Sequence, residues 1–173
     1  MITSLAEVRR LAESKADENR NFRRYLTAHH FPEEPFHILA AEIESGIDCT
    51  ECANCCRQLV VSVSEAAVEE IAAFLDISPE EVVRLYTAPD AAVPGNRLLR
   101  QENDACVFLD GNLCMIYEAR PKACRDFPHV TAHSRTLGSR FSSLCRNAWL
   151  CPIIYNAIEG YKHLTGYTSR GRT

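Results

Sequence analysis

Four cysteines stand within eight residues in the order C-x2-C-x2-C-C: Cys49, Cys52, Cys55 and Cys56. Thiols this close to one another chelate a soft metal ion, form disulfides or react. The adjacent pair Cys55 and Cys56 does not readily bond to itself, because disulfide geometry needs Cα separations and Cβ directions that neighbouring residues rarely offer. A C-x2-C turn, in contrast, lets two sulfurs converge on one ion, at about 2.3 Å from a zinc. The spacing therefore favours metal–thiolate chemistry.

Five more cysteines follow this cluster, and most of them stand beside a proline or a turn signal. Asp110-Gly111 lies between two of them, and Pro152 follows the last. Such a placement is typical of ligand loops, whereas an isolated cysteine is often simply a small buried apolar residue. We keep this second interpretation open for Cys145. The five positions are Cys106, Cys114, Cys124, Cys145 and Cys151.

Helices predominate among the elements that must position these cysteines. Ser4 with Glu7, and Ser78 with Glu81, match the capping box that starts a helix. Apolar residues recur at helical spacing in several segments. Residues 13–21 are so polar that we expect them to be exposed to solvent or to belong to a helix that projects from the body, although an amphipathic helix packed on the core is the simpler interpretation of the whole segment. The predicted helical segments are 4–29, 33–44, 64–76, 79–86, a short piece within 118–125, and most of 140–161.

Short strands and loops are predicted between the helices. Residues 59–63 alternate as a short strand does, whereas 87–96 and the C-x2-C-x2-C-C segment read as loops. The run from Cys106 to Tyr117 has Asp110-Gly111 at its centre, which predicts a β-hairpin. That hairpin would bring Cys106 and Cys114 close together on opposite strands.

Length and charge limit the class of protein. The chain has 173 residues, which suits one domain with an appended arm. We expect a mainly α fold with a small β-hairpin, in a single irregular domain organised around a cysteine-bound metal cluster. Within it we predict an N-terminal helical arm over residues 1–45, a metal-binding domain over 46–166 and a disordered tail over 167–173.

Location and partners follow from the same properties. We expect neither a signal peptide nor an apolar run of the roughly 20 residues that span a bilayer, and hence a cytoplasmic protein without a membrane contact. In that reducing compartment, clustered cysteines are more often metal-binding or catalytic than paired in disulfides. The formal net charge of −4 gives no support to DNA binding. A metal ion is the expected partner, while a protein partner and the oligomeric state stay open.

Several short motifs occur in an order that resembles one family. They are Cys49-x2-Cys52-x2-Cys55-Cys56-Arg57, Cys106-Val107-Phe108-Leu109, the run from Gly111 to Pro121, and Cys124-Arg125-Asp126-Phe127-Pro128. With these motifs the chain resembles the zinc- or iron-chelating, YkgJ-like cysteine-cluster proteins. The resemblance covers about residues 49–128, with Cys151-Pro152 as its last element, and implies a metal-chelating domain without an assigned reaction. The flagellin lysine N-methylases look like distant relatives that carry a similar cluster.

Together with the resemblance, the spacing leads us to predict eight metal ligands. Eight thiolates could close two tetrahedral zinc sites, or share bridging sulfurs in a binuclear cluster. Alternatively, the first three resemble the C-x2-C-x2-C of a bacterial ferredoxin, with Cys151-Pro152 as the fourth element of an iron–sulfur site. Thiolate surroundings select zinc, copper(I) or iron–sulfur, and zinc and iron stay equal alternatives. The predicted ligands are Cys49, Cys52, Cys55, Cys56, Cys106, Cys114, Cys124 and Cys151.

Two arginines are predicted to support the cofactor. Beside the thiolates, Arg120 and Arg125 would neutralise charge and donate hydrogen bonds to sulfur. The alternative is an ordinary ion pair with Glu118 or Asp126. His129 and His133 lie in the same region and are open as further ligands, although we interpret them more simply as surface histidines.

Three functions are consistent with these observations. The first is a metal-binding protein whose cysteine cluster holds zinc or iron and organises the fold. The second, by analogy with the methylases, is a metal-cluster-dependent enzyme, and the third is a thiol redox sensor. The chain contains no P-loop, G-x-G-x-x-G, G-x-S-x-G or H-E-x-x-H motif, so enzymatic activity stays undecided and catalytic residues unknown.

Overall fold

A computed structural model describes residues 1–131 and 136–169 of the chain. Helices make up most of its elements, and the strands form short antiparallel pairs, which confirms the expected mainly α fold with small β elements. The helices are α1 Leu5–Ser14, α2 Ala16–His29, α3 Glu34–Ser45, α4 Cys49–Cys52, α5 Asn54–Gln58, α6 Glu65–Leu75, α7 Pro79–Tyr86, α8 Lys122–Asp126, α9 Leu137–Asn147 and α10 Pro152–Leu164. The strands are β1 Thr87–Pro89, β2 Arg97–Leu99, β3 Gln101–Glu102, β4 Ala105–Cys106, β5 Leu109–Asp110 and β6 Leu113–Cys114.

The chain divides into two compact units. The first, which we call the helical unit, comprises Met1–Asp48 and Pro128–Thr173, and the second, which we call the cysteine unit, comprises Cys49–Phe127. The first boundary lies close to the predicted end of the N-terminal arm at residue 45. Residues 128–166, which we assigned to the metal-binding domain, belong to the helical unit together with that arm. In the part of the chain that the structure describes, no helix is both long enough and apolar enough to cross a membrane.

Helix α10 is the centre of the helical unit. Its Ile154, Ile158 and Tyr161 are almost fully buried, and the helix packs along α3. Helix α2 packs against α9, where the rings of Phe22 and Phe141 meet edge to face at 5.5 Å. Such aromatic and branched side chains contribute most of the apolar area that a small core buries.

Six of the nine residues of the polar stretch 13–21 are exposed, as we expected, whereas Lys15 and Glu18 are half-buried and Asn19 is buried. Glu18 accepts a hydrogen bond from Lys162 Nζ at 2.6 Å, and Glu159 accepts another from the same atom at 2.6 Å. Lys162 is only 4% exposed, and Asn19 only 2%. Charged side chains are rarely buried to this extent unless they are paired, and here the pairing partners lie 144 residues apart in the chain.

Two predictions for the start of the helical unit were wrong. The expected helix over 4–29 is divided at Lys15 into α1 and α2, and the Ser4 side chain makes no capping hydrogen bond. Tyr167, the first residue of the predicted disordered tail, packs on Phe22 at a ring distance of 4.9 Å and donates its N–H to the Lys162 carbonyl at 2.9 Å. Residues 170–173 of that tail lie outside the described residues.

The cysteine unit has its own apolar core beneath α6 and α7. Ile71, Val82, Phe108 and Ile116 are at most 1% exposed in it. The capping box at Ser78 is confirmed, because its hydroxyl accepts from the N–H of Glu81 while the Glu81 carboxylate accepts from the N–H of Ser78. Ser64 likewise caps α6, as its hydroxyl accepts from the Ala67 N–H.

The strands of this unit are shorter than the sequence indicated. The predicted strand over 59–63 contributes only an isolated bridge between Ser62 and Leu98, and β1 forms within a segment that we predicted as a loop. The predicted hairpin is reduced to the two residue pairs of β5 and β6, in which Cys114 stands opposite Leu109. Cys106 pairs instead with Gln101 of β3, so the prediction that it stands opposite Cys114 in the hairpin was wrong, although the two thiols do lie close enough to interact electrostatically.

Candidate metal centre

Six of the nine cysteines line one cavity in the cysteine unit. They come from five elements, namely α4, α5, β4, β6 and α8. Chain segments up to 75 residues apart therefore present sulfur to the same space. The cysteines at the cavity are Cys49, Cys55, Cys56, Cys106, Cys114 and Cys124.

Sharp local turns place these thiols. Ala53 adopts a left-handed conformation with φ 45°, which separates α4 from α5 and turns the C-x2-C-x2-C-C segment into two short helices instead of the predicted loop. On α5 the sulfur atoms of Cys55 and Cys56 lie 4.0 Å apart. Gly111 makes the turn between β5 and β6 with φ 59°, a conformation that glycine adopts without steric cost.

The wall of the cavity beneath the thiols is apolar. It is formed by Leu59, Val61, Leu99, Phe108, Ile116 and Phe127. An apolar wall lowers the local dielectric, so it disfavours lone thiolates and strengthens their attraction to a cation.

The pKa of Cys56 is lowered to about 7. The largest cause is a hydrogen bond from the neighbouring Cys55, and the charges of Arg120 and Arg57 add to it, while burial acts in the opposite direction. A depressed pKa increases the thiolate fraction, and the thiolate is the form that binds metal.

Three other thiols at the cavity have raised pKa values. Burial is the main cause for Cys106, Cys114 and Cys124, and for Cys124 it raises the pKa to about 12. Negative charge on Cys56 contributes to all three shifts. The thiols are therefore close enough to repel one another as thiolates, and a bound cation would relieve that repulsion.

The two arginines predicted to support the cofactor occupy different places. Arg120 lines the cavity, stacks on the ring of Tyr117 with its guanidinium carbon 3.5 Å from the ring centroid, and donates Nε to the Tyr117 carbonyl at 2.8 Å. Arg125 instead forms an exposed ion pair with Glu70 at 3.1 Å and does not line the cavity. The position of Arg120 agrees with a role beside the thiolates, whereas the prediction for Arg125 has no support from its position.

A third arginine, Arg57, lies beside the cysteines in the sequence, where we expect it to offset thiolate charge, and in the structure it also connects two segments of the site. Arg57 Nη2 donates to the Gly111 carbonyl at 2.7 Å and to Asn112 Oδ1 at 2.6 Å, and its Nη1 donates to the Cys52 carbonyl at 3.1 Å. Asn112 Nδ2 in turn donates to the Glu51 carbonyl at 3.0 Å. Arg57 and Asn112 each stand next to a cysteine motif in the sequence. Their contact could not be read from the sequence, because the two residues are 55 positions apart.

The remaining predicted ligands lie elsewhere. Cys52 is on α4, where its carbonyl is engaged by Arg57, and it does not line the cavity. Cys151 belongs to the helical unit, where it is 7% exposed at the start of α10. Their roles as ligands stay predictions.

Two of the residues that we left open as further ligands, Cys145 and His129, also lie outside the cysteine unit. Cys145 is on α9 of the helical unit, and burial raises its pKa to about 11. The His129 carbonyl accepts a hydrogen bond from Arg140 at 2.6 Å in the same unit. His133 lies outside the described residues.

The donor set at the cavity fits zinc or iron. Thiolates are the ligands of structural zinc and of iron–sulfur clusters, whereas magnesium and calcium require oxygen. As placed, no three cysteine, histidine or carboxylate side chains among the described residues form a group that could hold an ion. The thiols thus share a cavity without converging on one point, and coordination requires their side chains to turn toward the metal.

Comparison with known families agrees with this chemistry. A family model named CxxCxxCC and described as "Putative zinc- or iron-chelating domain" matches residues 48–149. The match spans more than half of the chain, which therefore belongs to this family. It includes every cysteine at the cavity and ends before Cys151. No solved structure is similar enough to the chain to support a comparison.

Proposed function

We propose that the cysteine unit chelates zinc or iron through the thiolates that line its cavity. The observation that carries this proposal is that six cysteines from five elements line one apolar-walled cavity. Membership of the family agrees with it. We propose Cys49, Cys55, Cys56, Cys106, Cys114 and Cys124 as the principal ligands, with Cys52 and Cys151 as further candidates.

The charges of neighbouring residues favour the thiolate form that binds a cation. Arg120 and Arg57 lower the pKa of Cys56 and offset part of the thiolate charge. When bound, zinc would cross-link the loops and contribute folding free energy, and an iron–sulfur cluster would add electron transfer.

Metal analysis of protein purified without oxygen tests this proposal. We expect zinc or iron in a fixed ratio to protein, and visible thiolate-to-iron absorption if the metal is iron. Cys56→Ser and Cys124→Ser should reduce the metal content, whereas Cys145→Ser, a matched change in the helical unit, should not.

Two outcomes would contradict the proposal. One is unchanged metal content in both cavity variants, and the other is wild-type protein that neither contains nor takes up zinc or iron. Wild-type protein without metal whose thiols oxidise reversibly would favour the redox-sensor hypothesis. The metal content of the Cys52→Ser and Cys151→Ser variants will show whether these two cysteines are ligands as well.

A further inference from the structure

The turn between β5 and β6 carries Cys114 to the cavity but has little pairing of its own. The two strands share only the pairs Leu109 with Cys114 and Asp110 with Leu113. A two-stranded hairpin is marginal in water even when it is longer than this one. Leu113 is 62% exposed, so its side chain does not anchor the turn in the core. The base of the hairpin is held by the buried Phe108 and Ile116 and by the hydrogen bond from the Met115 N–H to the Phe108 carbonyl at 2.8 Å, whereas the exposed turn itself needs another contact to hold it against the C-x2-C-x2-C-C segment.

The network of Arg57 and Asn112 is that contact. Three of its hydrogen bonds, between 2.6 and 3.0 Å, connect the segment over residues 51–57 with the turn. Two of these have a charged donor, which makes them roughly twice as strong as neutral ones. The bonds use backbone carbonyls and the asparagine side chain, and leave every sulfur atom out of the network.

We propose that Arg57 and Asn112 are the positioning residues of the metal site, holding Cys55 and Cys56 on one side and Cys114 on the other at the same cavity before an ion binds. This inference rests on the proposed function. A site whose ligands are held in advance loses less conformational freedom when it binds, and so it binds more tightly. Arginine suits the task because its planar fork reaches several acceptors at once, which a lysine ammonium does not reproduce.

Two variants separate positioning from charge and from folding. Asn112→Ala changes an exposed turn residue and removes its bonds to Arg57 and to the Glu51 carbonyl. Arg57→Lys keeps the positive charge but removes the planar guanidinium group that donates to three acceptors. The control is Arg84→Lys, since Arg84 is an exposed residue of α7 that forms a 4.0 Å ion pair with Glu81.

The affinity for Zn²⁺ is measured by competition with a chromophoric chelator, and the cobalt(II) absorption spectrum reports the number of thiolates around the metal. Loss of a residue that orients metal ligands typically weakens affinity about 10- to 100-fold, and we expect that range for both variants. We also expect weaker thiolate-to-cobalt absorption from both variants. The zinc affinity of the double variant should be no lower than that of the single variant that binds zinc less tightly. Circular dichroism of the metal-free variants should match the wild type, and the control should match it in every measurement.

Several results would overturn the inference. Zinc affinities within twofold of the wild type, or an unchanged cobalt spectrum, would show that the network does not position the ligands. Loss of the metal-free fold in both variants would show that the network of Arg57 and Asn112 serves folding instead. Wild-type protein that binds neither zinc nor cobalt would refute the proposed function itself, which distinguishes that failure from a failure of this inference.

Discussion

The unequal thiols of the cavity make a quantitative prediction for the metal-free protein. The pKa of Cys56 is about 7 and that of Cys124 about 12, although both side chains are partly buried. At pH 7 roughly half of Cys56 is then thiolate, against about one molecule in 10⁵ for Cys124. Because the thiolate is the nucleophile, Cys56 should react with a small neutral disulfide before Cys124 does.

The expected rate difference is smaller than the difference in thiolate fraction. The intrinsic reactivity of a thiolate falls as its pKa falls, with a Brønsted coefficient of about 0.4–0.5. Because the two pKa values differ by about five units, the Cys124 thiolate is intrinsically roughly 200-fold more reactive, which offsets part of the higher thiolate fraction of Cys56. The remaining preference for Cys56 over Cys124 is about 300-fold at pH 7. It should diminish as the pH rises above 7, because Cys56 is then already ionised while Cys124 continues to gain thiolate.

The assay is a time course with dithiodipyridine under anaerobic conditions, in which peptide mass spectrometry locates each modified cysteine. Arg120→Gln should slow Cys56 by raising its pKa, whereas Arg84→Gln on the exposed face of α7 should leave its rate unchanged. Equal rates at Cys56 and Cys124, or an Arg120→Gln variant that reacts as fast as the wild type, would refute this account of the cavity's electrostatics.

Three further predictions concern stability and metal uptake. Lys162→Met removes the buried ammonium that Glu18 and Glu159 share, while Glu159 keeps its ion pair with Lys15, and should lower the free energy of unfolding by about 1.5–3 kcal/mol in urea titrations. Lys122→Met in an exposed pair should cost under about 1 kcal/mol, and similar losses for the two variants would contradict the buried network. Ser78→Ala removes the capping box of α7 and should cost about 1 kcal/mol by the same measurement, and an unchanged stability would show that the cap contributes nothing. Because burial keeps three cavity thiols protonated at neutral pH, metal binding should release protons and weaken as the pH falls, and calorimetry in buffers of different ionisation enthalpy that detects no proton release would contradict this.

Features that depend on residues within one helical turn were predictable from the sequence. The capping box at Ser78, the serine cap at Ser64 and the end of α3 at Gly46 follow from side-chain chemistry at a spacing of up to four residues. The cysteine motifs also indicated metal–thiolate chemistry, because the types of ligand atom are independent of the fold.

Features that depend on distant contacts were not predictable. The failure at Cys106 is a matter of register: the turn at Gly111 closes a hairpin of two residue pairs, so β5 begins after Cys106, and that residue pairs with Gln101 instead. The bonds from Arg57 to the turn join residues up to 55 positions apart. No local pattern specifies such contacts, because they depend on how the whole unit packs.

X-ray absorption at the zinc and iron edges of anaerobically purified protein tests the central claim most directly. The account predicts an edge signal from one of these metals with sulfur as the main neighbour, at about 2.3 Å for zinc. A metal surrounded by oxygen and nitrogen alone, or no signal at either edge after the protein has been supplied with both metals, would contradict it.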